Sequence, residues 1–171
     1  MRDIISVGEV LIDLTQTGTT DQGIPAFAAN PGGAPANVAV AAARLGAETA
    51  FFGKVGRDSF GAYLRRVLEE NGVDCSGLRT GSQPTTLAVV SVDSRGERDF
   101  QFIRGADCTL SPEEVDEEAL GRTKFLHFGS VSLTAGLERN ATIFAARHAH
   151  RAGVLVSYDP NYRAPLWKNP E

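Results

Sequence analysis

The stretch from Asn30 to Ala47, NPGGAPANVAVAAARLGA, limits what this chain can fold into more than any other. Pro31 closes the preceding segment. Gly32 and Gly33 open backbone conformations denied to other residues and let the main chain approach a ligand. Pro35 suits a first helical turn, where a missing N–H is no loss. Asn37 falls in the same turn, with an amide that both donates and accepts. Val38, Ala41, Ala42 and Leu45 then recur at helical spacing and predict the buried face. Gly46 supplies the stop. Free N–H groups at such a helix start favour hydroxyl, carboxylate or phosphate oxygens. A tight turn ahead of a close-packed alanine helix fits the same residues.

Two nucleotide motifs are excluded. A phosphate loop of the G-x-x-x-x-G-K-[ST] type needs Lys-Ser or Lys-Thr after its glycines, and neither follows here. The dinucleotide fingerprint needs G-x-G-x-x-G directly after a strand, whereas a long segment separates these glycines from the first strand. A net charge of -4, with no basic stripe, argues against nucleic acid. No run of about 18 apolar residues exists, so no membrane span is expected. The start, MRDIISVGEV, carries an early acid and enters a strand pattern at once, unlike a signal peptide. Cys75 and Cys108 are isolated and are expected as reduced thiols, so the cytoplasm is the expected compartment.

In chain order, Ile4–Val7 reads as a buried strand, and Val10–Leu14 continues extended with Asp13 interrupting it. Ligands of open α/β sheets gather at the carboxyl ends of strands. Asp13 can accept from substrate hydroxyls there, or from nearby backbone N–H groups. Glu9 is read as structural. Residues 15–29 are expected to be a surface excursion with a weak strand. Thr49–Val55 is a strand, and Asp58 or Ser59 caps the helix that follows, which Gly72 closes. The alternation predicts a parallel sheet in one α/β domain. Residues 85–93 and 97–104 then form a hairpin about Ser94-Arg95-Gly96. With part of 15–29 this hairpin could build a small separate sheet, a lid over a site; an edge hairpin of the main sheet is the alternative. Ser111-Pro112-Glu113-Glu114 predicts a helix running to about Gly121. Lys124–Phe128 is a strand, Leu137–Ala152 a helix, and Val154–Tyr158 a strand ending in Asp159-Pro160-Asn161-Tyr162-Arg163. Arg163 can pair with a phosphate or carboxylate, or with Asp159. His148 and His150, two apart on a helix, cannot share a metal, and no metal site is expected.

Together these pieces resemble the ribokinase-like (PfkB) carbohydrate kinases, and within them bacterial fructokinases. The motifs are GEVLIDL at 8–14, GGAPANVAVAAARLG at 32–46, GKVGRDSFG at 53–61, HFGSVSL at 127–133 and DPNYR at 159–163. The resemblance implies an α/β fold of the ribokinase-like kind, a mainly parallel sheet flanked by helices, with a β-sheet lid from about 15–29 and 85–104. It implies ATP-dependent phosphorylation of a sugar hydroxyl, with Mg²⁺ accompanying ATP. Asp13, Gly32, Gly33 and Asn37 would hold the sugar, Phe102 and Arg104 would face it from the lid, and Asn161 and Arg163 would lie towards the transferring phosphate. Dimerisation through the lid sheets is common in that family.

The sequence departs from the family in one respect. The family's G-A-G-D motif, which supplies the base Asp, is not present in these 171 residues. The chain is therefore expected to be the N-terminal half of such a kinase, with the base and nucleotide site C-terminal to Glu171. Alone it is expected to be inactive and to expose a sheet edge. Fructose is the expected substrate, from the HFGSVSL and DPNYRAPLW stretches. A 2-keto-3-deoxygluconate kinase is the alternative within the family, and a non-catalytic sugar-binding module the alternative of another class.

Overall fold

A computed structural model describes residues 1–92, 98–134, 136–162 and 166–167, with backbone only at 91–92 and 98–100. Two sheets carry the fold. Strands β1 (Arg2–Val7), β4 (Thr49–Gly56), β5 (Leu78–Gly81), β8 (Thr123–Gly129) and β9 (Leu155–Asp159) form a parallel sheet in the order β5-β4-β1-β8-β9. The second sheet is mixed. It comprises β2 (Leu11–Thr19), β3 (Pro25–Gly32), β6 (Leu87–Val92) and β7 (Arg98–Ile103) in the order β3-β2-β6-β7. Within it β2 runs antiparallel to β3 and parallel to β6, and β7 returns antiparallel to β6. The hairpin and the 15–29 segment thus form a separate sheet and not an edge of the main one.

The central strands β1 and β4 are covered on both faces, as uninterrupted apolar strands require. Successive residues of β4 point to opposite faces, so Phe51 packs with helices α1 (Ala34–Arg44) and α2 (Ser59–Glu70) while Ala50 and Phe52 pack on the other side. That other side is filled by Ile5, Val7 and Leu126 against α3 (Glu117–Gly121) and α4 (Gly136–Arg151). Asp58 caps α2, accepting from Gly61 N at 2.8 Å, and also from Thr85 N at 2.8 Å and Thr85 Oγ1 at 2.7 Å. One carboxylate therefore fixes both the helix start and the root of β6.

Three expectations need correction, and one strand is not foreseen. The buried face of α1 is Pro35, Ala36 and Ala39, and Leu45 is 89% exposed. Val40 and Ala43 continue that face, and Leu45 falls outside it. Pro31 does not end the preceding segment: β3 runs to Gly32, with Pro31 opposite Ile12. β3 is an edge strand, where a residue lacking an N–H is tolerated. The acidic helix from Ser111 breaks in two. Pro112–Glu114 is a single tight turn with a Ser111/Glu114 capping box, and Asp116 then caps α3. Lys54 holds Glu114 at 2.8 Å, which draws that turn towards β4. The four-residue β5 is too short and too mixed (LRTG) to be visible as a strand in the sequence.

β9 is an edge of its sheet, with Leu155 62% and Tyr158 46% exposed. Among the described residues no helix is long and apolar enough to cross a membrane.

Candidate functional site

A cavity of about 290 Å³ lies where the mixed sheet faces the start of α1. Its sheet wall follows from strand periodicity. Leu11, Asp13 and Thr15 share one face of β2, and Ala88 and Val90 share that face of β6. Pairing aligns Asn30, Asp13, Ala88 and Phe102 in one row across four strands. The opposite wall is Gly33, Ala34 and Asn37 of the α1 start, with Glu9, Val131 and Asn161 closing the sides.

Five of the residues singled out in the sequence meet here: Asp13, Gly33, Asn37, Phe102 and Asn161. Asp13 is half-buried, and desolvation raises its carboxyl above the usual range. Among the described residues no N–H group bonds that carboxylate, so the backbone-bonded alternative has no partner for it. Asn37 is exposed on the first turn of α1. Asn161 holds φ of 30°, and its N–H donates to Asp159 Oδ1 at 3.0 Å.

The two glycines have separate reasons to be glycine. Gly33 sits at φ of 106°, and a methyl there would overlap the Glu9 carbonyl oxygen. A Cβ on Gly32 would overlap the Asp13 carboxylate. Gly32 does not line the cavity; it makes room for the side chain that does. Gly33→Ala combines strained backbone with overlap against main chain. It is expected to destabilise the fold by on the order of 3 kcal/mol, read as a lowered midpoint in thermal unfolding; an unchanged midpoint would contradict this geometry.

Arg104 lies elsewhere. Its guanidinium donates from Nε to Asp107 Oδ2 at 2.9 Å, from Nη2 to Glu138 Oε2 at 2.6 Å and from Nη1 to Thr134 Oγ1 at 3.1 Å. Both carboxylates have fully buried side chains. These bonds commit Arg104 to Asp107 and Glu138; it does not line the cavity, although Nη1 also reaches the carbonyl oxygen of Val131, which does, at 3.5 Å. Asp107, Glu138 and Cys108 also lie close enough to suggest a cation site. Arg104 already supplies the positive charge there, and both Asp107 oxygens are engaged. Arg163 falls outside the described residues.

The sequence reading missed Glu9 as part of the site. It is 2% exposed, its Oε1 accepts from Ala34 N at 3.3 Å, and its buried Oε2 has no partner among the described residues. Burial pushes its carboxyl up to about 7, against the nearby positive charge of Arg104. The available signal was its setting: an acid between Gly8 and the apolar pair Val10-Leu11, in a segment with no solvent-facing side.

The chain matches the pfkB family of carbohydrate kinases over residues 1–171. It belongs to that family. It is 47% identical to a probable fructokinase-3 of Arabidopsis thaliana, over 98% of this chain and 50% of the relative. It is 44% identical to a fructokinase of Solanum tuberosum, over 97% of this chain and 54% of the relative. A fructokinase structure from Xylella fastidiosa superposes with a TM-score of 0.92 at 39% identity, covering all of this pfkB chain and 54% of the other. The same enzyme with bound ATP gives 0.91. The chain spans about half the length of the relatives it matches. The ribokinase-like α/β architecture expected from the sequence motifs is the architecture found.

Proposed function

We propose that this chain forms the sugar-binding half of an ATP-dependent fructose kinase. The observation that carries this reading is Asp13. A half-buried carboxylate, with no partner among the described residues, faces an exposed Asn37 and the start of α1 across a cavity. A carboxylate and an amide lining one cavity can bind neighbouring hydroxyls, because a hydroxyl donates to the first and accepts from the second. Phe102 supplies an apolar face for the carbon side of the sugar. The mixed sheet would act as the lid and exclude water as a competing acceptor. The similarity to fructokinases favours fructose.

Charge separates fructose from the keto-acid alternative. The described lining residues include the acids Glu9 and Asp13 and no Lys or Arg. Arg104, the cation that would hold an acidic sugar, is neutralised by Asp107 and Glu138. A neutral polyol suits this cavity; a sugar acid does not.

ATP with Mg²⁺ would supply the phosphoryl group. Asn161 and Arg163 are the residues of this chain proposed to face it, after the carboxyl end of β9. What the chain contributes is binding, orientation and shielding of the acceptor hydroxyl. The cytoplasmic location and dimerisation through the lid belong to the same proposal. Calorimetric titration with fructose is expected to give binding, titration with 2-keto-3-deoxygluconate none, and a coupled ATP assay on these 171 residues no turnover. Preference for the acid would replace the substrate, and robust ATP turnover would overturn the assignment of the base to residues outside this chain. Fructose binding that persists in a protein without phosphotransfer when its complete gene product is assayed would favour the binding-module alternative.

A further inference from the structure

Resting on the sugar-binding reading above, we propose that Glu9 is a positioning residue for the sugar, fixing the start of α1 through the Ala34 amide and coupling sugar affinity to its own protonation. The geometry makes Glu9 the pivot between three parts of the site. Its Oε1 accepts from Ala34 N, its carbonyl oxygen packs against Gly33, and it lines the cavity that Asp13 faces. Its Oε2 is sealed from solvent and has no partner among the described residues, so a sugar hydroxyl does not reach it.

The charged groups around it are few. Arg104 at the end of β7 favours its anion; Asp107 in the tight turn Ala106–Thr109 and Glu138 on α4 oppose it. Asp13 adds a carboxylate across the cavity. The Cys108 thiol, raised to about 11 by burial, stays neutral near pH 7. Three buried acids, Glu9, Asp107 and Glu138, therefore share the one guanidinium of Arg104, and only part of their charge is compensated. With the cavity full of water, the Glu9 anion is screened across the wall. A bound sugar displaces that water and returns no hydrogen bond to Oε2. The charged form of Glu9 is then further disfavoured, and its proton is held more tightly in the complex. By linkage, fructose binds best where Glu9 is protonated, and affinity falls as pH rises through its titration.

Nuclear magnetic resonance of the Ala34 amide in the intact chain reads this hydrogen bond directly. Its shift is expected to titrate with a midpoint near the Glu9 value of about 7 in the free protein. Saturating fructose should raise the midpoint by about one pH unit, and the fructose dissociation constant should rise about tenfold from low to high pH. Glu9→Gln should abolish both the titration and the pH dependence, while Glu138→Gln should keep both. A midpoint that fructose does not move overturns the proposal on the unsubstituted protein alone, whether or not Glu9→Gln folds. Equal pH dependence in Glu9→Gln and the parent overturns it as well. No fructose binding at any pH overturns the sugar-binding reading, and this proposal with it; binding that is flat in pH overturns this proposal only.

Discussion

Asp13→Ala is expected to remove fructose binding from calorimetric detection while leaving the fold intact. Each hydrogen bond between a sugar hydroxyl and a carboxylate contributes about 1.5–3 kcal/mol, so losing two amounts to at least about 3 kcal/mol, a factor of more than about a hundred. Stability should change little, because among the described residues no donor depends on that carboxylate. Removing a half-desolvated acid could even raise the unfolding midpoint, since burial holds its carboxyl above the usual range. Asp13→Asn keeps the shape and loses the charge, and should retain weak binding. Calorimetry and thermal unfolding on the same samples separate the two effects. An Asp13→Ala protein that binds fructose within about threefold of the parent would remove the central contact of the proposed site.

Arg104→Gln should behave in the opposite way, with a large loss of stability. It leaves Asp107 and Glu138, both with fully buried side chains, facing each other without their cation. Breaking one partner out of a buried pair costs about 3–5 kcal/mol, which in a chain of this size lowers the unfolding midpoint by roughly 10 °C or more. The sign with pH is fixed. Glu138 already sits well above the usual carboxylate range through burial, with Asp107 adding to it, and loss of Arg104 raises it further. A carboxyl raised in the folded state is protonated there while still ionised in the unfolded chain. Its destabilising effect is therefore absent below the ordinary value of about 4.5 and grows as pH rises towards its folded value. The variant should differ least from the parent at low pH, and the difference should widen as pH rises above about 4.5. Glu138→Gln added to Arg104→Gln should recover part of the loss, a coupling that a double-mutant cycle measures. If Arg104 instead held the sugar, Arg104→Gln would weaken binding and leave the melting profile in place.

That contrast marks how far the sequence could be read. Alternation of apolar runs with helical patterns specified the parallel sheet, because strands buried on both faces are apolar throughout. The hairpin at 85–104 was visible for the same reason that it was anomalous: two neighbouring strands cannot both be parallel to a sheet without a crossover. Asp13, Gly33 and Asn37 were legible because their types are unusual where they stand, an acid ending an apolar run and a glycine pair opening an alanine helix. Strand periodicity puts Arg104 on the face of Phe102, whereas its guanidinium binds Asp107 and Glu138. Its true direction is set by Glu138, 34 residues later, which no local pattern reveals. Glu9 was passed over because its partner, the Ala34 amide, is main chain and leaves no trace in residue type. The exposure of Leu45 was also hidden. Leu45 keeps helical spacing with Val38, yet the buried face of the helix runs through Ala36, Ala39, Val40 and Ala43 and leaves Leu45 exposed.

The cavity draws on Glu9 after β1, on strands β2, β6 and β7 of the mixed sheet, and on Asn161 after β9. Affinity is thus a property of the globally folded chain and not of a detachable segment. A ligand held this way cannot protect one region against local opening and spare another. At a hundredfold excess over its dissociation constant fructose would add about 2.7 kcal/mol to the free energy of complete unfolding. The slowest-exchanging amides of β1 and β6 would share that increment equally, although one belongs to the scaffold and the other to its cover.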